Sequence, residues 1–196
     1  MIHPGFTIDN LFSKTHTVVL ESDLETQGRS WLIEVHCQPG SRPEAGEHLH
    51  LLWTETFEIV SGTAYYKLDG NQQTAQAGEK FVVVPHHPHV HPWNAGDTDM
   101  VYRQGNQFEQ PNPQAVQDIL GVIATMARLA RTGKLDNKGL PKNLLQLGAI
   151  LKMVTRHGVY DTSFPIPVQD FVAATLGSLA EALGYKAVYP QYMVSQ

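Results

Sequence analysis

One cysteine in the whole chain, Cys37, leaves no partner for an intrachain disulfide and points to a reducing compartment. No apolar run reaches the roughly 18 residues that span a bilayer. The first residues, Met1 to Gly5, lack both the basic and the apolar stretch of a secretory signal. A soluble, cytoplasmic protein is therefore expected. Positive charge is also scarce: 14 Lys and Arg stand against 19 Asp and Glu, a net charge of −5. Neither nucleic acid nor an anionic membrane is expected as a partner. Internal repeats and low-complexity tracts are missing as well. What is there is a chain of 196 residues, 42% hydrophobic. That is enough for one domain with a sizeable core, or for one domain with a helical appendage.

The periodicity of apolar residues changes near residue 110. Before it, short β-branched and aromatic segments predict strands at Thr15–Leu20, Arg29–Gln38, Glu47–Trp53, Thr56–Val60, Ala64–Leu68, Thr74–Ala77, Lys80–Val84, Val90–Trp93 and Met100–Arg103. Turn residues separate them, among them Ser61-Gly62, Ala77-Gly78 and the tight-hairpin pair Asp69-Gly70. Roughly nine short strands at regular spacing predict an antiparallel sandwich or barrel rather than a βαβ fold.

After residue 110 the pattern is helical. Asn112-Pro113 supplies an N-cap and a first-turn proline, and Gly133 a stop. A second helix is predicted from Pro141 to His157-Gly158, and a third from Pro167 to Leu183-Gly184. Residues 1–110 thus read as a β-barrel domain and 111–196 as a C-terminal helical extension. The amphipathic helices need a partner surface, either the barrel or a second subunit.

The chemistry concentrates in His48-Leu49-His50. Alternate residues of a strand share a face, so both imidazoles project into one space. Glu55 lies far enough on to return a carboxylate to that space from the next strand. Two imidazoles and a carboxylate suit a divalent first-row metal: iron, manganese, nickel, cobalt or zinc. A buried carboxylate beside imidazoles is costly unless a cation compensates it. A second histidine-rich run, His86-His87-Pro88-His89-Val90-His91, offers further donors, with His86 and His87 reading as an exposed loop. Cys37 falls in the alternating strand Trp31, Ile33, Val35, Cys37 and reads as a small buried hydrophobe rather than a nucleophile. Arg103 reads as one half of a surface salt bridge.

The stretch from His48 through Glu55 to Gly62 resembles the first motif of the cupin superfamily, in which an HxH pair, a glutamate and a turn glycine frame a metal. Gly78 to Pro85, continuing through Trp93-Asn94-Ala95-Gly96, resembles the second motif. The likeness covers about residues 30–105, and the helical remainder is similar to bacterial single-domain cupins with a C-terminal helical extension. The resemblance implies a jelly-roll barrel followed by three helices, and a metal held by His48, His50, Glu55 and one later histidine. Two departures stand out. Arg42 occupies the place of the family's glycine before the first histidine. Val90 occupies the place of the family's later metal histidine, flanked by His89 and His91. Either neighbour becomes the fourth ligand only if the turn is shortened or a bulge shifts the strand by one residue. His89 is favoured because it follows a proline, His91 is the alternative, and a site with three protein ligands and neither of these is the third option.

The resemblance implies a divalent metal ion (Fe, Mn, Ni or Zn) and a small-molecule substrate. Dioxygenase-like oxidation of a chelating enol or diol is the first expectation, with Glu55 able to act as a base. A metal-dependent isomerase and a non-catalytic ligand-binding module are the alternatives. Unpaired barrel edges and the three helices together predict a homodimer.

Overall fold

The computed structural model describes residues 1–193, so positions 194–196 of the expected helical extension lie outside the described residues. Among the described residues, eleven strands form two antiparallel sheets that face each other as a jelly-roll barrel. The strands are β1 (Thr7–Asn10), β2 (Thr15–Glu21), β3 (Ser30–Cys37), β4 (His48–His50), β5 (Trp53–Ser61), β6 (Thr63–Leu68), β7 (Asn71–Gln76), β8 (Lys80–Val83), β9 (His89–Asn94), β10 (Met100–Phe108) and β11 (Val159–Asp161). One sheet runs β1-β2-β3-β10-β5-β8, the other β11-β4-β9-β6-β7.

Alternation decides which side chains fill the barrel. Trp31, Ile33, Val35 and Cys37 of β3 are buried, as are Trp53, Glu55, Phe57 and Ile59 of β5, while their neighbours face outward. Arg103 sits on the outer face and pairs with Glu34 (Nε to Oε2, 3.0 Å). Two turns carry the backbone demands of the hairpins. Asp69 and Gly70 both have positive φ (51° and 77°), as a mirror-image tight turn requires. Gly62 (φ 79°) lets β5 fold back as β6 with its backbone against Met100; a Cβ there would sit 3.0 Å from the Met100 Cα.

The strands extend beyond the sequence reading in both directions. β1 and β11 have no counterpart in it, because four and three residues leave almost no periodicity to detect. β10 continues to Phe108 rather than stopping at Arg103, and the predicted Glu47–Trp53 strand divides at Leu51-Leu52 into β4 and the start of β5.

Of the helices, α1 (Asp23–Thr26) is a single turn closed by a Ser22/Glu25 capping box. α2 (Pro113–Arg131) begins where the Asn112 side chain accepts the Ala115 N–H, and it ends with Arg128 and Arg131 in the last turn. Its buried face, Val116, Leu120, Ala124 and Ala127, joins the barrel's core cluster. Burial of the Leu120 side chain alone contributes about 1.5–3 kcal/mol.

α3 (Leu144–Arg156) starts later than Pro141 because Asn143 is the cap, accepting the N–H groups of Leu145 and Gln146. Pro141 instead bridges to Leu135. The third predicted helix is α4 (Ile166–Val172), a π-helical turn over Ala173–Gly177 and α5 (Ser178–Ala182) in succession. The helical part also returns a strand to the barrel: β11 pairs with β4, Val159 opposite His50 and Asp161 opposite His48. No helix among the described residues is long and apolar enough to cross a membrane.

Candidate metal centre

Three strands from both sheets bring the candidate donors together. β4 carries His48 and His50, β5 carries Glu55, and β9 carries His89 and His91. The donor atoms of His50, Glu55 and His89 lie within 4.8 Å of one another, and so do those of His48, His89 and His91. His50, Glu55 and His89 are at most 2% exposed.

The register of β9 explains how a histidine arrives although Val90 holds the family position. Asn94 stands opposite Ala64 and Trp93 opposite Tyr65, but Val90 stands opposite Lys67 and His89 opposite Leu68. Two residues, His91 and Pro92, therefore face the single residue Tyr66. This bulge shifts the preceding strand by one place. Val90 turns away from the site, and His89 and His91, two residues apart, both turn towards it. Sequence reasoning treated these two as alternatives; the structure places both beside Glu55.

Glu55 is the hub. Its Oε2 lies 3.0 Å from His89 Nε2, 3.3 Å from His91 Nε2 and 3.4 Å from His50 Nε2. Its Oε1 accepts N–H groups from Gln104 (3.1 Å), Asn106 (3.2 Å) and Trp53 (3.4 Å). The Trp53 ring also stacks on His50, with centroids 4.8 Å apart. The outer nitrogens are held too: His48 Nδ1 donates to Gly46 O (2.9 Å) and His89 Nδ1 to His87 O (3.0 Å), which leaves each Nε2 free to ligate.

Burial pulls the Glu55 carboxyl upward, but His91, His50 and His89 outweigh it and hold the group well below the usual carboxylate range. Burial works against charge on His89, yet its hydrogen bond to Glu55 and that group's charge raise it. Burial, with His91 and His89 nearby, keeps His48 well below the ordinary imidazole value.

These residues fit a divalent cation. His50 Nδ1, His50 Nε2 and His91 Nε2 are buried with no hydrogen-bond partner, because the Glu55 oxygen lies out of line for His50 and His91. Buried nitrogens without partners are costly, and a cation among them removes that cost. The spacing agrees. With metal–nitrogen bonds of about 2.1 Å, donors at right angles on one ion sit about 3.0 Å apart. The three contacts to Glu55 Oε2 lie at 3.0–3.4 Å. Chemically, these residues could hold one divalent ion, which would supply Lewis acidity or redox chemistry on the less buried side of the site, where His48 and His91 lie.

Gln104 and Asn106 escaped the sequence reading because the strand was expected to end at Arg103. The alternation Met100, Tyr102, Gln104, Asn106, Phe108 places them inward and was the available signal. His86 and His87 are exposed, and His87 pairs with Asp69 (3.1 Å) outside the site.

No curated protein matches the chain. Several solved structures resemble its barrel. A predicted oxalate decarboxylase from Thermotoga maritima is 21% identical, covers 55% of this chain and 93% of its own, and gives a TM-score of 0.47. An RmlC-like cupin from Shewanella frigidimarina is 16% identical over 56% of this chain and 86% of its own, with a TM-score of 0.44. A putative sugar phosphate isomerase from Acidithiobacillus ferrooxidans is 20% identical over 47% and 59%, with a TM-score of 0.40. The profile of a protein family described as Cupin_2, cupin domain, matches residues 33–102, the span that contains His48, His50, Glu55, His89 and His91. The likeness to the cupin-domain family thus covers residues 33–102, the barrel strands that carry the candidate donors.

Proposed function

We propose that the protein binds one divalent metal ion through His48, His50, Glu55 and His89 and acts on a small oxygen-bearing molecule, with dioxygenase-like oxidation as the reaction. The observation that carries the reading is the Glu55 oxygen facing three imidazole nitrogens, two of them with no hydrogen-bond partner. A redox-active metal would supply the site for O₂ chemistry, and a redox-inert one would polarise a carbonyl instead.

The chain's own residues do the rest. Gln104, Asn106 and Trp53 anchor the far oxygen of Glu55, which supports a fixed ligand over a mobile base. Phe57, Phe81 and Tyr66 form a stacked aromatic row beside His91, with centroid spacings of 4.9 Å and 3.9 Å, and would offer a planar substrate an apolar wall.

Metal analysis of tag-free protein tests the reading, followed by O₂ consumption with a panel of enols, diols and monocarboxylates. Stoichiometric iron, manganese or nickel with substrate-dependent O₂ uptake is the expected result. Tightly bound metal without O₂ uptake redirects the assignment to an isomerase. Protein that retains no metal after reconstitution leaves only a ligand-binding module.

A further inference from the structure

We propose that His91 is a fifth protein donor to the metal, in addition to His48, His50, Glu55 and His89. The proposal rests on the metal-binding reading above and concerns a residue that exists in the site only because of the β9 bulge. A regular strand that kept Val90 inward would turn both His89 and His91 outward. The bulge inserts an extra residue opposite Tyr66, and the i, i+2 pair His89 and His91 then turns inward together.

Three observations place His91 in the donor set. Its Nε2 is buried and has no hydrogen-bond partner. That nitrogen is 3.3 Å from Glu55 Oε2, close to the 3.0 Å and 3.4 Å of His89 and His50. Its donor atom also falls within 4.8 Å of those of His48 and His89. The ring is held from behind by Phe57, with centroids 5.4 Å apart, and its edge faces His48 at 4.9 Å.

The consequence concerns the substrate. Five protein donors leave an octahedral ion one exchangeable position. A substrate then ligates through a single oxygen, as a carboxylate or carbonyl does, and chelation by a diol requires a protein donor to leave.

Cobalt-loaded protein reads the donor count without an activity assay. Each imidazole bound through Nε2 to paramagnetic Co²⁺ carries one exchangeable N–H proton, seen by proton NMR as a far-shifted signal lost in D₂O. The wild type should show four such signals, from His48, His50, His89 and His91. His91→Ala should show three and bind Co²⁺ at least about 10-fold more weakly, the scale set by losses outside the direct ligand shell. His91→Phe, which keeps an aromatic ring against Phe57, should behave alike and separates loss of the donor from loss of packing. Three signals in the wild type, or an unchanged count and affinity in His91→Ala, overturn the fifth donor while leaving the metal site intact. Wild-type protein that takes up no Co²⁺ overturns both readings.

Discussion

A metal at Glu55 should stabilise the whole protein, because its ligands come from both sheets: β5 from one, β4 and β9 from the other. An ion held there is lost when the sheets separate, so binding couples to global unfolding. At a free metal concentration 100 times Kd, one site stabilises by about 2.7 kcal/mol. For a chain of this size each kcal/mol raises Tm by about 2–4 °C, so the expected rise is about 5–11 °C. The chain carries 10 histidines, and metal bound to them in the unfolded state lowers this figure. Differential scanning calorimetry of tag-free apoprotein with Mn²⁺, Fe²⁺, Ni²⁺ and Zn²⁺ measures it. His50→Ala should abolish the rise, whereas a His86→Ala/His87→Ala double variant should keep it, since those rings lie outside the site. Equal rises in wild type and His50→Ala would refute the reasoning, as would a rise lost only in the double variant.

His157 Nε2 donates to Asp118 Oδ2 (2.8 Å) and ties the end of α3 to α2. Burial would raise Asp118, but this hydrogen bond and that of Gln114 hold it below its ordinary value of 3.8. A folded value below the unfolded one makes the contribution fully present above pH 4 and lost as pH falls through the folded value, so Asp118→Asn should cost on the order of 1–2 kcal/mol at pH 7 and less at pH 3. Urea titration at the two pH values checks this, and a pH-independent difference contradicts it. Burial pushes the Cys37 thiol up to about 12, so a thiol-specific disulfide reagent should react only on unfolding; rapid labelling of native protein counts against the buried assignment. Phe164, Phe171, Leu179 and Leu183 are 53–68% exposed on the helical part, and a homodimer that covers them should scatter light with a mass of about twice 21.8 kDa. A mass of 21.8 kDa at micromolar concentration rejects the dimer.

The barrel was legible because period-two alternation is strong wherever one face is buried, as at Trp31 to Cys37. α2 was legible through Asn112-Pro113 and Gly133. The boundaries that failed have local causes: Pro141 looks like a helix start, but the Asn143 side chain competes for that role and wins. In the site, His48, His50 and Glu55 follow from strand geometry alone. The choice between His89 and His91 did not, because a bulge is set by how β9 pairs with β6 and leaves no mark in the composition of β9 itself. Gln104 and Asn106 were hidden by a strand end placed too early, since polar residues at alternating positions look like solvent-facing ones until the partner strands are known.

The pairing of β11 with β4 has a consequence for how the protein is made and how it can be cut. β4 is three residues long, and β11 is what converts it from an edge strand into an inner one. Its other neighbour, β9, meets it in register at His48 and His89. A chain released from the ribosome as far as residue 110 therefore holds His48 and His50 on an open edge, with backbone groups free to pair with another chain. The frame of the candidate metal centre closes only when Val159 to Asp161 arrive, more than a hundred residues after the histidines they flank. Such long-range closure slows folding. The barrel thus takes one strand from the helical part, and a truncation at residue 110 should yield an aggregating fragment rather than a smaller barrel.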